Sequence, residues 1–409
     1  MVRRILTISV LIFCFLTLGA QNEVSRLAWS AEGTVVDAET GRAIESALVA
    51  IPGTNNATVT NADGRFVIKS SEDFNTVQVS FLGYRTAVCD ISHNSPLKIR
   101  LVPESYTLEG ATIFSGNPLE IVRSAIRRIP SNYSDHPELL ECFYRETIRK
   151  KTRYTYISEA VARMYKTDYE DGVRSDRTAL EKSRVLISQR KSDTLSVKVQ
   201  GGPAQAAYLD VVKNPDILFG YEAIGRYNFL MDAPAYINGR QQFVIKFQPC
   251  PGDYDDALYY GTMYIDCEKL LFTRIEMSLD MSDTGKAIRK IVVRKPLTLR
   301  LTPKEMSIVL NYSYNGDFAR LSYFRSTFRF NCDWKKRLFA TSYTAINELV
   351  VTDVRPEAIP IARSEMFRTS DILSDKAAEF TDPDFWKDYN IIEPTESLEH
   401  ALDRLRKSK

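Results

Sequence analysis

The fold is decided by three stretches near the start of the chain: GTVVDAETGRAIESALV at residues 33–49, TVTNADGRFVI at residues 58–68 and VQVSFLGY at residues 77–84. Apolar and polar residues alternate in the second and third stretches, as they do in half-buried strands. The first two stretches contain polar turns, DAETG and NADG, that each end in a glycine able to adopt a positive φ. The pattern predicts a small β-sandwich of the seven-stranded type, and it includes no group of residues that indicates catalysis.

The spacing of these residues resembles the carboxypeptidase regulatory-like domain, an immunoglobulin-like or transthyretin-like sandwich found at the front of many exported bacterial proteins. The resemblance covers residues 28–102 and departs from the family at Ala43, where proline is usual. It implies a folding or interaction module, because this domain accompanies carboxypeptidases without supplying their zinc ligands. The residues that carry it are Gly33, Val35, Asp37, Thr40, Gly41, Ile44, Ala47, Val49, Thr60, Asp63, Gly64, Phe66, Gly83 and Tyr84.

The first twenty residues have the composition of a secretory signal peptide. Arg3 and Arg4 precede an apolar run at 5–18, and Gly19 and Ala20 offer a cleavage site. We therefore expect an exported product in the periplasm or at the outer membrane, with an uncleaved anchor as the alternative. No later stretch is long enough for a membrane-spanning helix. Cleavage removes two arginines and no acid, so the net charge of +2 becomes zero, which argues against nucleic acid as a partner.

Five cysteines follow the signal peptide, and their wide spacing predicts small buried filler rather than a metal site or a disulfide framework. They are Cys89, Cys142, Cys250, Cys267 and Cys332.

The rest of the chain predicts a second, larger β-rich region. Residues 103–138 are interpreted as a linker and a helix that begins with Asn117 as N-cap and Pro118 at its first position. Residues 139–351 predict one curved antiparallel sheet, with a short helix at 204–212. The predicted strands include 258–266, 270–280, 288–294, 307–314, 321–330 and 338–350, and residues 166–193 are interpreted as an exposed excursion.

Within 270–280, alternation places Leu271 and Ile275 on the buried face and Phe272 on the face toward water. Residues 352–409 are expected to form a C-terminal tail with a short amphipathic helix at 397–405. Trp386 is expected to pin this tail against the sheet. The predicted fold class is mainly β with an α+β second part, namely an N-terminal β-sandwich followed by a half-barrel-like sheet and a few helices.

The hairpins at 227–229, 236–249 and 261–266 resemble those of lipoprotein-carrier-like half-barrels, as found in uncharacterised exported bacterial envelope proteins that also carry the sandwich. The segment at 382–394, with the sequence DPDFWKDYNIIEP, is similar to the C-terminal tail of those proteins. This resemblance concerns architecture, and it implies a sheet whose concave face can hold an acyl chain.

Catalytic motifs are scarce. The three histidines, His93, His136 and His400, cannot supply a zinc-protease motif, and no Gly-x-Ser-x-Gly elbow, phosphate loop or dinucleotide fingerprint occurs. We therefore predict no catalytic residue, no metal and no cofactor, and a protein that is not an enzyme. The alternative is a carboxylate pair of the glycosidase type, drawn from Glu141, Glu146, Glu159, Asp253, Asp255 and Asp256. Residues 253–256 are a loop, or alternatively a weak calcium site.

Tyrosines on the predicted strands are the candidate binding residues, because a ring with a polar tip suits a lipid or a sugar. We expect them to alternate into one face, with ordinary sheet packing as the alternative. Three functions remain open at this point: binding of a lipid, a glycan or an envelope protein, a role as an assembly factor, and a carboxylate-dependent hydrolase. The candidate binding face consists of Tyr154, Tyr156, Tyr260, Tyr264, Tyr312 and Tyr314.

Overall fold

The computed structural model describes residues 29–91, 95–104, 116–190, 201–291, 299–314, 316–334, 340–355, 357–379 and 385–407. The predicted signal peptide at 1–20 lies outside the described residues.

The N-terminal region is a β-sandwich of seven strands in two sheets. One sheet has the order β4-β1-β7 and the other has the order β3-β2-β5-β6. Between the sheets lies a core of buried aliphatic and aromatic side chains that includes Val35, Phe66 and Val79. The strands are β1 (Trp29–Asp37), β2 (Leu48–Ala50), β3 (Ala57–Val59), β4 (Arg65–Ser70), β5 (Thr76–Ser80), β6 (Ala87–Asp90) and β7 (Leu97–Leu101).

The two predicted turns have the geometry that their residues indicate. Gly41 and Gly64 adopt φ values of 70° and 74°. Asp37 accepts backbone hydrogen bonds from residues two and three positions further on, and Asn61 does the same for Asp63. A side chain at Gly64 would place its Cβ 2.5 Å from the Val35 carbonyl oxygen, so glycine is required there.

The Tyr84 hydroxyl donates to Asp37 Oδ2 at 2.7 Å and so ties the first turn to the 77–84 stretch. Thr40 closes the turn through its N–H, and Gly83 adopts a φ of 78°. The motif residues of the sandwich therefore have structural roles.

The second region is built on one open sheet of twelve strands. Eleven follow the order β11-β13-β14-β15-β16-β17-β18-β8-β9-β10-β19, and β12 also pairs with β13. Every pairing is antiparallel except that of β10 with β19. The strands are β8 (Glu138–Lys150), β9 (Arg153–Lys166), β10 (Arg177–Ile187), β11 (Tyr227–Met231), β12 (Ala235–Ile237), β13 (Arg240–Pro249), β14 (Tyr259–Asp266), β15 (Phe272–Leu279), β16 (Leu299–Tyr314), β17 (Ala319–Trp334), β18 (Thr341–Arg355) and β19 (Ala378–Glu379).

Short helices accompany this sheet. Asn117 accepts the N–H of Leu119 at 3.0 Å, which confirms the predicted N-cap. Among the described residues, no helix is both long and apolar enough to span a bilayer. The helices are α1 (Pro118–Arg127), α2 (Ile129–Asn132), α3 (Gly202–Tyr208), α4 (Tyr221–Ile224), α5 (Thr284–Ile291), α6 (Leu373–Lys376) and α7 (Glu396–Lys407), with a 3-10 turn at Pro215–Ile217.

The two faces of the large sheet have different coverings. We call the face that carries Tyr144 and Leu349 the helix face, because these side chains share one large core with Val122 of α1 and Ala206 of α3. We call the opposite face the sandwich face. It carries Phe143, Val161, Tyr323 and Val350, which pack against Val59 of the sandwich and against Trp386 of the tail. The predicted fold class, mainly β with a sandwich and a large antiparallel sheet, is confirmed.

Two predictions for the larger region are wrong. Residues 166–193 do not form only an exposed excursion, because β10 lies within them and pairs with β9 along most of its length. The sequence did not indicate this strand because the segment is rich in charged residues. Such residues are tolerated there, since β10 lies near the edge of the sheet and many of its side chains are only half-buried. Residues 288–291 are not a strand but the end of α5. Asp283 caps this helix by accepting the N–H groups of Gly285 and Lys286.

Phe272 is the third correction. It is fully buried, although alternation placed it toward water. The reason is a bulge between β14 and β15, where Tyr264 pairs with Arg274 but Ile265 pairs with Phe272. The extra residue turns Phe272 toward the helix face, where its ring stacks on Phe219 at 4.8 Å between centroids.

The five cysteines that follow the signal peptide are all free thiols. Cys142 and Cys332 are buried in two separate apolar clusters of the sheet region, as expected for small filler. Cys89, Cys250 and Cys267 are only partly buried, which corrects that expectation for them. The predicted C-terminal helix is α7, which buries Leu398, Ala401, Leu402 and Leu405.

Candidate functional site

The C-terminal segment lies as a strap, residues 385–394, between the sandwich and the large sheet. Trp386 is 6% exposed and packs edge-on against Phe143 of β8. Ile391 and Ile392 join the same apolar cluster. The prediction that Trp386 pins the tail against the sheet is confirmed.

Side chains from both regions hold the backbone of the strap. From the sandwich, Thr58 donates to the Ile391 carbonyl at 2.9 Å, and the Lys69 ammonium donates to three carbonyls in the turn at 386–389. The Asn390 amide both donates to and accepts from the backbone of Lys69, so it covers the free edge of β4. From the sheet, Arg145 donates to the Ile392 carbonyl at 2.8 Å. The strap therefore fixes the sandwich on the sheet.

The charge of Arg145 is neutralised by Glu159 of β9, which has no exposed side-chain area. Glu159 accepts hydrogen bonds from Arg145 at 2.6 Å, from Arg184 at 2.5 Å and from the Trp386 indole at 3.1 Å. Burial raises its pKa, but the two guanidinium groups outweigh burial and lower it to about 2. Glu159 is therefore an ionised structural anchor with every oxygen occupied.

Next to the strap, the sandwich does not fully cover the sheet. Four residues that pair with one another across neighbouring strands form a row on the sandwich face: Tyr264, Arg274, Asn311 and Tyr323. Tyr323 lies under the sandwich and shares a hydrogen bond with Ser46 at 3.0 Å. Arg274 and Asn311, which are linked by a hydrogen bond of 2.9 Å, lie in a cleft between the two regions.

This cleft has a volume of about 210 Å³. Its apolar wall includes Leu48 and Phe81 of the sandwich and Tyr323 of the sheet. Its polar wall combines serine and threonine residues and Arg320 with five amides and a second arginine, contributed by both regions: Asn55, Asn56, Gln78, Asn238, Asn311 and Arg274. Such a mixture of apolar surface and a few convergent polar groups is typical of small-ligand sites.

Beyond Arg274, the sandwich face is open. Tyr264 and Tyr260 lie four residues apart on the same face of β14, and Tyr260 is 49% exposed. Glu276 accepts from Arg274 Nε at 2.6 Å and so keeps the guanidinium flat against the sheet. The cleft therefore continues into an aromatic and polar surface.

The six predicted tyrosines do not share one face, which corrects that expectation. Tyr154, Tyr260 and Tyr264 lie on the sandwich face, whereas Tyr156, Tyr312 and Tyr314 lie on the helix face. A bulge separates Tyr154 from Tyr156, because Thr155 of β9 is an extra residue between the pairs Ile148–Tyr156 and Arg149–Tyr154. Tyr312 simply follows Leu310 in the alternation of β16, which places both in the core on the helix face. A bulge reverses the alternation of the residues beyond it, so counting by twos across it fails.

The six tyrosines also differ in the contacts that their side chains make. Tyr154 packs near α7, Tyr156 donates to Glu146, and Tyr312 donates to Asp210 at 2.8 Å. Of the six, Tyr260 and Tyr264 lie on the surface that continues from the cleft. Tyr312 and Tyr314 border the cleft, although their rings pack on the helix face. Whether any of them binds a ligand stays a prediction.

The carboxylates considered for hydrolysis are dispersed. Glu141 is paired with Arg355 at 2.9 Å, and Glu159 is anchored on the sandwich face. Glu146 lies on the helix face, where it accepts from Tyr144 at 3.1 Å and from Tyr156. Because burial dominates and no cation compensates, the pKa of Glu146 is raised to about 7. The sheet separates Glu146 from Glu159, so these two acids cannot act on one bond.

Asp253 and Asp256 belong to an exposed loop beside a wider open cavity of about 780 Å³. Lysines occupy their carboxylates: Lys286 contacts Asp253 at 2.8 Å and Lys290 contacts Asp256 at 3.8 Å. No group of three or more histidine, cysteine or acidic residues with metal-binding proximity occurs in the described residues.

The cleft residues escaped the sequence analysis because no local signal marks them. Asn55, Asn238 and Asn311 come from three distant turns and strands, and amides are common in loops. Only the docking of the sandwich on the sheet brings them together.

Comparison with known proteins supports the resemblance of the sandwich. Residues 31–113 match the family model of the CarboxypepD_reg-like domain. No curated protein matches the chain.

Among solved structures, the chain is similar to a domain described as that of an outer-membrane lipoprotein-sorting protein from Vibrio parahaemolyticus, with 14% identity, coverage of 58% of this chain and 91% of that chain, and a TM-score of 0.27. It is also similar to a LolA-superfamily protein from Nitrosomonas europaea, with 10% identity, coverage of 61% and 100%, and a TM-score of 0.19.

A third similar structure is a membrane-associated protein of unknown function from Bacteroides fragilis, with 9% identity, coverage of 80% and 97%, and a TM-score of 0.15. At these scores the likeness does not extend to ligands or activity. Residues 31–113 thus match the carboxypeptidase regulatory-like domain, and that domain is the part of the chain for which a family is identified.

Proposed function

We propose that the chain is an exported cell-envelope protein that works by binding rather than catalysis, and that its ligand is a glycan held in the cleft between the sandwich and the sheet. The observation that carries the proposal is the polar wall of that cleft. Five amides and the Arg274 guanidinium are among the polar groups that line a space of about 210 Å³. Amides both donate and accept hydrogen bonds, which is the pattern that sugar hydroxyls require.

The size of the cleft suits one sugar residue. At about 30 Å³ for each water molecule in the liquid, the cleft holds roughly seven waters. The open surface at Tyr264 and Tyr260 continues from it and offers ring faces to further sugars of the same chain.

A lipid acyl chain fits this wall less well. An acyl chain in the cleft would displace water from Arg274, Asn311 and the other amides without offering them a partner. Each buried polar group left in that way costs about 1–3 kcal/mol. A sugar replaces those waters with its own hydroxyls.

Isothermal titration calorimetry with a panel of neutral and N-acetylated mono- and oligosaccharides tests the proposal. We expect at least one oligosaccharide to bind more tightly than its monosaccharide. Asn311→Ala should weaken that binding about tenfold, or about 1.4 kcal/mol. Phospholipid vesicles and acyl chains in the same assay should give no heat.

Asn331→Ala is the matched control. Asn331 is half-buried like Asn311, but it lies eight residues along β17 from Tyr323, about 26 Å at 3.3 Å per residue. Its substitution should leave binding unchanged. Equal losses in both variants, or binding of lipid but of no sugar, would contradict the proposal.

A further inference from the structure

A second cluster, unrelated to the cleft, lies on the helix face where β9 ends. Lys166 is the last residue of β9, and Asp210 follows α3. Both side chains are buried, with 3% and 0% of their side-chain area exposed, and Lys166 Nζ lies 2.5 Å from Asp210 Oδ2. An amine and a carboxyl group are thus held in contact away from water.

Tyrosines enclose this pair. The ammonium of Lys166 lies 5.1 Å from the centre of the Tyr169 ring. The Tyr312 hydroxyl donates to Asp210 Oδ1 at 2.8 Å, and the Tyr169 hydroxyl donates to Oδ2 at 3.3 Å. Tyr133 packs against both of these rings. Hydroxyl donors on a carboxyl group draw electrons from its carbon, as the donors of an oxyanion hole do.

The neighbouring lysine has a different environment. Lys213 Nζ donates to Asp176 Oδ1 at 2.6 Å, to the Thr167 carbonyl at 2.6 Å and to the Thr167 hydroxyl at 3.2 Å. Three acceptors saturate an ammonium group. For Lys166, the hydrogen bonds found among the described residues go to Asp210 alone, so its nitrogen is the one with a free approach to a carboxyl carbon.

We propose that Lys166 and Asp210 join in an intramolecular isopeptide bond. One proton passes from Lys166 Nζ to Asp210 Oδ2, which gives a neutral amine and a carboxylic acid. The amine nitrogen then attacks Asp210 Cγ, the C–Oδ2 bond breaks, and a second proton from nitrogen leaves with that oxygen as water. The product is an amide with one N–H, and no oxidant or other reactant takes part.

The site favours this exchange for two physical reasons. Two charges buried in a low-dielectric core are replaced by one neutral amide, which removes their desolvation cost. The nearby charged residues have partners of their own, because Glu138 contacts Arg320 at 2.6 Å and Lys213 contacts Asp176. Each of them therefore keeps a partner of opposite charge when the Lys166–Asp210 ion pair is converted to an amide. The bond would close a loop of 44 residues and restrict the unfolded chain, as a disulfide does.

Intact mass spectrometry of the full chain under denaturing conditions tests this inference. We expect a mass lower than that of the sequence by one water molecule. Trypsin should release a branched peptide in which residues 164–174, uncleaved after Lys166, are joined to residues 199–213. Full sequence mass together with cleavage after Lys166 would overturn the proposal.

Three variants sharpen the test. Asp210→Asn should give the same final branched peptide, now by loss of ammonia, which a plain ion pair cannot do. Lys166→Arg keeps the positive charge but should show no mass loss. Lys213→Arg is the matched control in the adjacent buried pair, and its mass loss should equal that of the native chain. A mass loss that persists in Lys166→Arg would also overturn the assignment.

Discussion

Two buried glutamates on neighbouring strands show how differently the two faces of the large sheet treat the same side chain. Glu159 of β9 lies on the sandwich face and Glu146 of β8 on the helix face, and both are at most 1% exposed. Glu159 contacts two guanidinium groups and an indole, and its pKa falls to about 2. Glu146 contacts two tyrosine hydroxyls, and its pKa rises to about 7.

Burial alone therefore does not decide the charge of a carboxyl group in this protein. On the sandwich face, the ionised Glu159 balances arginines that also hold the strap. On the helix face, no cation contacts Glu146 among its hydrogen-bond partners, so desolvation dominates. The carboxyl group of Glu159 thus serves assembly through its charge, whereas that of Glu146 is shifted toward its neutral form.

The largest expected effect is that of Glu159→Gln. This change leaves Arg145 and Arg184 buried without their counter-ion and should lower the free energy of unfolding by about 3–5 kcal/mol. Urea unfolding at pH 7 measures it. Because the folded pKa of Glu159 lies below its usual 4.5, the native chain should also lose stability as the pH falls from 4.5 toward 2.

The control is Glu365→Gln, since Glu365 is 55% exposed and pairs with Arg163 at 3.3 Å. This substitution should lower the free energy of unfolding by less than about 1 kcal/mol. If the two variants lose the same amount, the guanidinium groups do not depend on Glu159 for neutralisation, and the contrast between the faces disappears.

Trp386→Ala should have the next largest effect and lower the free energy of unfolding by about 3 kcal/mol. It removes the ring packed against Phe143 and one hydrogen bond to Glu159. Limited proteolysis should then cut the strap earlier than in the native chain. Trp29→Ala is the matched control because Trp29 is 41% exposed, and an equal loss in both variants would show that the strap does not fix the sandwich.

Glu146→Gln should act in the opposite direction. Between pH 4.5 and 7, folded Glu146 keeps a proton that the unfolded chain has lost, so the stability of the native chain falls as the pH rises through this window. The amide resembles the protonated acid and does not titrate. The variant should be close to the native chain at pH 4.5 and exceed it by roughly 3 kcal/mol at pH 8. Denaturant melts at the two pH values measure this, and a pH-independent difference would refute it.

The smallest effect is expected at the exposed rim of the contact between the sandwich and the sheet. There, Glu45 of the sandwich contacts Arg325 of the sheet at 2.7 Å. Glu45 is 41% exposed at its side chain, so Glu45→Gln should cost about 0.5 kcal/mol, and high salt should reduce the loss. Thermal melts at two salt concentrations measure it. A loss above about 2 kcal/mol would mean that docking depends on the rim rather than on the strap.

Local signals predicted the sandwich turns, the N-cap Asn117, the C-terminal helix and most strands of the large sheet. Each of these depends on a few adjacent residues, such as Asp37 with Gly41 or Leu398 with Leu402. The division of the chain at residues 102, 138 and 351 stays a prediction, although β18 itself continues to Arg355. The signals failed at Phe272 and Tyr156, because a single extra residue in a bulge reverses which face a side chain occupies.

The sequence by itself determined the sandwich, its turns and the strand-rich character of the rest, since turn chemistry and alternation act over a few residues. The tertiary structure alone decided which polar residues meet: Asn55 with Asn311 across the cleft, Glu159 with Trp386 under the strap, and Lys166 with Asp210 in the core. These partners are far apart along the chain, and bulges and docking set their faces. No pattern of neighbouring residues encodes such distances.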